Sequence, residues 1–264
     1  MKKILFIALA FFTLTSCTEI LSDQESDVTP RVVINAKLIR DSVCVVKLTR
    51  TQSYYNSAPV PTITNATITL TVNGSTTEAL THTGNGVYRG TAIIGTVNSM
   101  YTINVLVDGK TYTANATMLP VTPIDSLKYY YTPGTSIQDE GYYPTLYAIE
   151  PPNQVNYYMF KYYRNDTLLS DSGDFQVSDD RYVTSNIDGV PFPYTYRLND
   201  VAKLEMYSLN QAQYQFYSDF LNQLNSDGGF FSTPPTNPST NFSGSDVIGV
   251  FQVSDMNTKS ITIH

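Results

Sequence analysis

The residue whose position most clearly suggests chemistry is Cys17, one of two cysteines in the 264-residue chain. It follows a pair of lysines, Lys2-Lys3, and an eleven-residue, mostly apolar run over residues 4–14. Two cations ahead of a short apolar run are typical of a secretory signal, because a membrane-spanning helix needs roughly 20 apolar residues. The small residues Thr15-Ser16 would let a signal peptidase reach the next bond. The sequence therefore predicts a signal peptide over 1–16 and a mature chain that begins at Cys17.

The segment Leu14-Thr15-Ser16-Cys17 resembles the bacterial lipobox, in which the cysteine thiol receives a diacylglycerol. A diacylglycerol and an N-terminal acyl chain together exceed the two lipid signals that stable anchoring requires. Residues 17–30 are polar and acidic without any periodicity, which is typical of a flexible tether. We therefore expect lipid on Cys17 to hold a folded domain at a membrane.

Residues that could support catalysis are scarce. General-base roles fall most often to histidine, and the chain has two histidines, His82 in a predicted turn and the terminal His264. The sequence has no nucleophile elbow, metalloprotease helix motif, phosphate-binding glycine loop or Cys-x-x-Cys pair. Paired carboxylates could still form a glycosidase site, and the candidates for such a pair are Asp139, Glu140, Glu150 and Glu205. We expect a protein that is not an enzyme and that has neither a catalytic residue nor a cofactor.

Four aspartates, Asp171, Asp174, Asp179 and Asp180, lie close together in a stretch that also contains glycine and serine. Oxygen-rich loops of this kind can bind Ca²⁺, although the spacing is not that of an EF-hand. The default interpretation is a solvated acidic hairpin tip, with a calcium site as the alternative. We therefore expect no metal site in the chain.

The composition limits the classes of partner. The formal net charge of −7 becomes −9 when the signal peptide and its two lysines are removed. A chain this acidic lacks the electrostatic surface for nucleic acid or anionic lipid. Cys44 lies in the apolar run Val43-Cys44-Val45-Val46, so we predict a buried core residue there.

Tyrosine is unusually abundant, with 21 residues and no tryptophan, and many tyrosines are consecutive. Tyrosine favours strands because its ring packs while its hydroxyl stays hydrated. Neighbouring side chains of a strand point to opposite faces, so one ring of each pair should leave the shared core. The rings predicted to face outward and to form a binding surface are Tyr130, Tyr143, Tyr158 and Tyr163. The alternative is that these rings support strand pairing or meet the first domain.

The elements that must position these residues are mainly strands. Residues 31–120 contain seven short β-rich runs, and Asn73-Gly74 and Asp108-Gly109 each lie between alternating runs, which is the strongest local hairpin signal. Seven strands in about 90 residues predict an immunoglobulin-like β-sandwich. The fold class is therefore mainly β.

A second β-rich domain is predicted over 121–264, after the proline-stiffened junction Pro120–Pro123. It carries one C-terminal helix near 210–225, followed by Gly228-Gly229. The apolar residues at helical spacing, which should pack on the sheet, are Tyr214, Tyr217, Phe220, Leu221 and Leu224.

The order of several short motifs resembles one known family. These motifs are Arg31-Val-Val-Ile-Asn35, Leu48-Thr-Arg50, Asn65-Ala66-Thr67, Gly109-Lys-Thr-Tyr-Thr113, Pro123-Ile-Asp-Ser-Leu127, Pro234-Pro235 and Val247-Ile-Gly-Val-Phe251. Together they resemble the Bacteroidota lipoproteins of domain of unknown function 4249, over nearly all of the mature chain. Acidic residues behind Cys17, such as Glu19 and Asp23, also resemble an export signal for the outer face of the outer membrane, with the periplasmic face as the alternative.

The resemblance implies a location and a neighbourhood, because genes of this family usually stand beside those of TonB-dependent transporters. We therefore expect a non-catalytic outer-membrane lipoprotein that binds a ligand or docks as an accessory to such a barrel. The alternative is a structural or adhesive cell-surface protein without a transport role. The sequence names neither the ligand nor the partner barrel.

Cys17→Ala is expected to leave the protein unlipidated and to release it from the membrane fraction, because the predicted mature chain offers no other apolar anchor. Fractionation followed by immunoblotting measures the shift. A variant that still sediments with outer membranes after salt and carbonate washes would contradict the prediction of a lipid anchor.

Overall fold

The structure is a computed structural model that describes residues 29–53, 56–151, 154–170, 175–181, 186–224, 237–244 and 246–264. The predicted signal peptide, Cys17 and nearly all of the predicted tether lie outside the described residues.

The described chain is mainly β, as predicted, with several sheets and a single described helix. The first eight strands are β1 (Val32–Ile39), β2 (Val43–Arg50), β3 (Thr67–Val72), β4 (Thr76–Ala79), β5 (Thr81–Gly84), β6 (Val87–Ile94), β7 (Met100–Val107) and β8 (Lys110–Thr117). The remaining elements are β9 (Ile124–Thr132), β10 (Gly141–Ile149), β11 (Tyr157–Arg164), β12 (Thr167–Leu168), β13 (Gln176–Asp179), β14 (Asn186–Pro191), β15 (Val201–Leu209), α1 (Gln211–Leu224), β16 (Val247–Ser254) and β17 (Met256–Thr262).

Two sheets pack face to face in the first half, with strand orders β16-β1-β2-β6-β5 and β4-β3-β7-β8. Alternate residues of β1 are buried, which is the period-2 pattern of a strand with one face on a core. Cys44 lies in this core, as predicted, and burial raises the pKa of its thiol to about 12. The thiol is therefore protonated and packs as a small apolar group.

The two predicted hairpin turns are confirmed. Asn73 and Gly74 have φ of 50° and 68°, and Asp108 and Gly109 have φ of 51° and 75°. Positive φ at both central residues gives a twist that matches the flanking strands. Local sequence therefore fixes the registers of β3 with β4 and of β7 with β8.

The strand β16 corrects the predicted domain boundary. The sequence places the last predicted strand, Val247–Val253, in the second domain, but β16 pairs in parallel with β1 over its full length. Its side chains Val247, Phe251 and Val253 join the first core. A parallel pair requires a long crossover connection, so it leaves no local turn signal in the sequence. The first sandwich is therefore completed by the C-terminal part of the chain, and residues 31–119 lack one of its edge strands.

The junction between the halves also differs from the stiff, weakly contacted linker that the sequence predicts. Val121 and Thr122 are buried, with 7% and 4% of their surface exposed. The Val121 N–H donates to Asp255 Oδ2 at 2.9 Å, and Ser208 Oγ donates to the Leu119 carbonyl at 2.6 Å. The prolines stop strand pairing here, while the residues between them are held by the second half.

The second half has two sheets, one of order β14-β10-β9 and one of order β12-β11-β15-β17, with β13 pairing to β11. Tyr158, Phe160 and Tyr162 of β11 face the core between these sheets. Met159 belongs to a separate core beneath α1, with Tyr157 packed against that core. The strand β11 is therefore covered on both faces.

The helix α1 matches the predicted bounds but buries a different face. Asn210 Oδ1 accepts from the Gln213 N–H at 2.9 Å, and Gln213 Oε1 accepts from the Asn210 N–H at 3.0 Å, which closes a capping box. Gln213 Nε2 then donates to the Phe251 carbonyl of β16 at 3.0 Å. The buried residues are Gln213, Phe216 and Tyr217, whereas Phe220 and Leu224 are exposed. The polar Gln213 thus takes an inward position that apolar spacing alone could not reveal.

Within the described residues, the structure contains no helix with the length and apolar character needed to cross a membrane.

Gly249 lies at the contact between β16 and β1. A substitution at this position therefore tests the strand pairing. The φ of Gly249 is +136°, and a Cβ there would overlap the carbonyl oxygen of Ile34. Gly249→Ala is expected to lower the free energy of unfolding by at least about 3 kcal/mol, because backbone strain and a backbone clash add. Urea unfolding measures the loss.

Gly109→Ala is the matched control, since Gly109 also has positive φ but a Cβ there would meet nothing within 4 Å. It should cost only about 1 kcal/mol. Equal losses in the two variants would contradict the close β1–β16 pairing.

Candidate functional site

The four tyrosines predicted to form a binding surface lie in separate environments. Tyr130 on β9 is 42% exposed, as predicted, but Tyr143 on β10 is only 7% exposed. The two rings stack with centroids 5.7 Å apart and planes at 15°. The Tyr143 hydroxyl donates to the Asp139 carbonyl at 3.0 Å. The outward orientation predicted for Tyr143 is therefore wrong, because Tyr130 and the β9–β10 connection cover its face of the strand.

On β11, Tyr158 is 3% exposed and Tyr163 is half-buried. The Tyr163 hydroxyl donates to Glu205 Oε2 at 2.8 Å, and Lys203 Nζ lies 4.2 Å from the Tyr163 ring centroid. The outward orientation predicted for Tyr158 is also wrong. Neighbouring side chains of β11 do point to opposite faces, but both faces of this strand are covered. Neither member of a tyrosine pair therefore needs to face solvent.

Tyr158 instead lines a cavity of about 300 Å³ between the two sheets of the second half. The cavity lies between β10 and β14 on one side and β11 and β13 on the other. Four aromatic side chains line it, namely Tyr158, Phe160, Tyr162 and Phe192. The volume is at the lower end of the range for small-molecule sites.

The local sequence explains the aromatic side of the cavity. Tyr158, Phe160 and Tyr162 are alternate residues of β11 and therefore point to one face. Phe192, which follows β14, packs edge-on against Tyr162 with a centroid distance of 4.9 Å. These rings are held by their neighbours, so the apolar lining is preformed.

Glu150, directly after β10, is the central polar group of the cavity. It is 4% exposed, and its Oε2 accepts from the Tyr158 hydroxyl at 2.6 Å and from Thr122 Oγ1 at 3.0 Å. Its Oε1 is buried, and among the described residues it has no hydrogen-bond partner. A buried acceptor without a partner costs about 1–3 kcal/mol, and more when it is charged. Oε1 is therefore the one oxygen of the Glu150 carboxyl that the described protein leaves without a donor.

Two further carboxylates, Asp179 and Asp180, line the same cavity. Asp180 is 6% exposed and accepts from the Asn156 backbone N–H at 2.8 Å and from Asn156 Nδ2 at 2.7 Å. Asp179 accepts from Arg181 Nε at 2.9 Å and Nη2 at 2.7 Å. These contacts orient both aspartates and engage their oxygens.

The electrostatics follow from burial. Loss of solvation raises the pKa of Glu150 above its ordinary value, and the Asp180 carboxylate acts in the same direction, whereas the hydrogen bonds from Tyr158 and Thr122 act against it. Burial, followed by the bond to Glu150, raises the pKa of Tyr158, so its hydroxyl stays protonated and donates. Hydrogen bonds from Arg181 lower the pKa of Asp179 despite partial burial.

The calcium hypothesis is only partly covered by the structure, because Asp171 and Asp174 lie outside the described residues. Asp179 and Asp180 are engaged by Arg181 and Asn156 respectively. Among the described residues, no three His, Cys, Asp or Glu side chains are grouped so that they could hold a metal ion.

The carboxylates considered for a glycosidase pair lie on different elements. Asp139 and Glu140 are exposed in the β9–β10 connection, and Glu205 on β15 accepts hydrogen bonds from Tyr163 and Tyr207. Glu150 is buried rather than solvated. The two histidines lie elsewhere, since His82 is on β5, not in a turn, and His264 is the last residue.

A second, more open depression of about 920 Å³ lies around Arg164. The Arg164 guanidinium lies 5.1 Å from the Tyr196 ring centroid, and its Nε lies 3.7 Å from Asp200 Oδ2, within ion-pair range but too far for a hydrogen bond. Arg164 Nη2 donates to the Thr195 carbonyl. Arg164 Nε is therefore buried without a hydrogen-bond partner among the described residues, as Glu150 Oε1 is, but Arg164 has an ion-pair contact with Asp200.

Sequence reasoning included Glu150 only among carboxylates that could pair and missed the cavity. A usable signal was present, because Glu150 directly follows the apolar run Leu146–Ile149 of β10 and precedes Pro151. A lone carboxylate at the end of a buried strand is a candidate for a functional buried charge.

Glu150→Gln tests this description through pH. Because the folded-state pKa of Glu150 is raised, its stabilising contribution is complete below the ordinary value of 4.5 and is lost as pH rises through the folded-state pKa. Glutamine does not titrate, so the free energy of unfolding of the variant should rise relative to the wild type as pH increases. Urea unfolding from about pH 4 to pH 8 measures this difference. A difference that stays constant over this range would contradict a buried Glu150 carboxyl with a raised pKa.

The chain matches a protein-family model over most of its length. A family model described as "Domain of unknown function (DUF4249)" matches residues 18–260. Comparison with curated proteins gives no significant match. The matched segment includes the first sandwich, the cavity-bearing second half and the helix α1. The chain therefore belongs to the DUF4249 family.

Proposed function

We propose that this protein is a lipid-anchored outer-membrane lipoprotein that binds a small ligand and acts as a non-catalytic accessory to a TonB-dependent transporter. The anchor would be the lipid on Cys17, and the second half would hold the ligand. Family membership supports the proposal, together with the lipobox-like segment before Cys17.

The observation that carries the binding role is the cavity of about 300 Å³ with Glu150 in its lining. Four aromatic rings provide apolar contact, and one buried carboxylate oxygen has no hydrogen-bond partner among the described residues. An apolar pocket with a few converging polar groups is the usual form of a small-molecule site. An unpaired buried oxygen does not help the fold, so a role in ligand binding explains it better than a role in stability.

The proposed role is ligand binding without a chemical step. Neither histidine is among the described residues that line the cavity. Ser178 lines it, but the Ser178 hydroxyl donates to the Asp179 backbone carbonyl at 3.2 Å rather than to a carboxylate. Tyr158 and Thr122 donate to Glu150, which suits a carboxylate held in place for binding.

The test is purification of the full-length protein from native membranes in mild detergent, followed by mass spectrometry of proteins and small molecules. The wild type is expected to retain a TonB-dependent barrel and a small molecule. Val190→Trp should lose the small molecule, because Val190 lines the cavity and is 52% exposed at its rim. Val60→Trp is the matched control, since Val60 is also 52% exposed but lies in the first half.

Recovery of the protein with no barrel, and with no small molecule that depends on Val190, would contradict the proposal. That result would favour the structural or adhesive alternative.

A further inference from the structure

We propose that the ligand of this cavity carries a protonated amine that pairs with the Glu150 carboxyl, while the surrounding rings hold the apolar part of the ligand. This inference rests on the proposed binding function and adds the chemical class of the ligand.

The described lining of the cavity is negatively charged. Among the described residues, the lining includes three carboxylates, Glu150, Asp179 and Asp180, and no Lys or Arg. Arg181 pairs with Asp179, but Glu150 and Asp180 have no Lys or Arg within ion-pair distance in the described part of the chain. Buried carboxylates without a counter-ion are costly, so a bound cation would remove an electrostatic penalty. An anionic ligand would increase that penalty.

The hydrogen bonds of Glu150 are concentrated on one of its two oxygens. Glu150 Oε2 already accepts from the Tyr158 hydroxyl and from Thr122, and Asn156 Nδ2 lies 3.5 Å from the same oxygen. These donors fix the carboxylate and leave Oε1 as the acceptor without a partner. The Thr122 and Tyr158 hydroxyls also lie 2.7 Å from each other, so their two protons are shared among three oxygens. None of these donors reaches Oε1. An ammonium N–H satisfies both the charge and the hydrogen bond, whereas a quaternary ammonium has no N–H to donate.

Aromatic rings line part of the cavity wall. Tyr158, Phe160, Tyr162 and Phe192 present aromatic surface beside the carboxylates. Aromatic faces attract cations, and the attraction is strongest where water is excluded. The same rings offer apolar contact to a hydrocarbon or aromatic body. With about 300 Å³ of space, the cavity fits a compact monoamine rather than an extended oligomer.

Asp180 has a supporting role. Each of its oxygens accepts one hydrogen bond from Asn156, and Asp180 adds negative potential beside Glu150. Asn156 also lies next to Glu150, and it thereby holds the two carboxylates in a fixed relation.

The test uses the detergent-solubilised full chain and three matched probes, 2-phenylethylamine, neutral 2-phenylethanol and anionic phenylacetate. Calorimetric titration and thermal unfolding should show binding of the amine and at least about tenfold weaker binding of the other two. Glu150→Gln should weaken amine binding at least about tenfold, whereas Glu140→Gln, which neutralises an exposed carboxylate outside the cavity, should leave the affinity unchanged.

Val190→Trp gives a second test that leaves every hydrogen bond of Glu150 in place. It should abolish amine binding by filling the cavity rim, and Val60→Trp should not. These variants keep the test decisive even if Glu150→Gln does not fold.

Two outcomes would overturn the inference. If the wild type binds 2-phenylethanol or phenylacetate as tightly as the amine, and Val190→Trp removes that binding, the cavity is a ligand site of another class. If 2-phenylethylamine does not bind the wild type, the amine class is wrong, while the accessory role is decided separately by the native purification.

Discussion

The structure depends on the passage of the C-terminal chain from one half of the molecule to the other at Asp255. The strand β16 completes the first sandwich beside β1, and Asp255 then turns the chain into β17 of the second half. The Asp255 side chain is buried and accepts from Arg40 at 2.7 Å and from the Val121 N–H at 2.9 Å. The Asp255 backbone exchanges hydrogen bonds with Ser208. One residue thus joins the end of β1, the junction, β15 and β17.

This arrangement links the candidate site to the rest of the fold. The bond from Val121 to Asp255 fixes the junction, and the next residue, Thr122, donates to Glu150 in the cavity. Glu150 is therefore oriented by a side chain from the segment between the halves, as well as by Tyr158 from the sheet. A carboxylate held by partners from two separate segments is rigid, which lowers the entropic cost of ligand binding.

Tyrosine serves mainly as a packing residue with a hydrogen-bonded hydroxyl. The Tyr88 hydroxyl donates to the Ile63 carbonyl, and Tyr217 donates to Gln252 Oε1 beneath α1. Each buried ring can contribute a large apolar area only because its hydroxyl finds an acceptor. This use explains how a chain without tryptophan fills three cores, and why the adjacent tyrosines of β11 did not indicate an exposed surface.

The sequence by itself determined the features that depend on neighbouring residues. Alternating apolar residues predicted the strands β1, β2, β7 and β8, and Asn-Gly and Asp-Gly predicted two hairpins. The spacing of apolar residues predicted α1.

Only the tertiary structure decided which surfaces meet. The parallel pairing of β1 with β16 joins residues more than 200 positions apart, so no local pattern reports it. The coverage of both faces of β11 reversed the orientation expected for Tyr158, and the cavity around Glu150 formed from five separate segments. Burial is a property of the assembled sheets, because the same alternating strand can face solvent or a second layer.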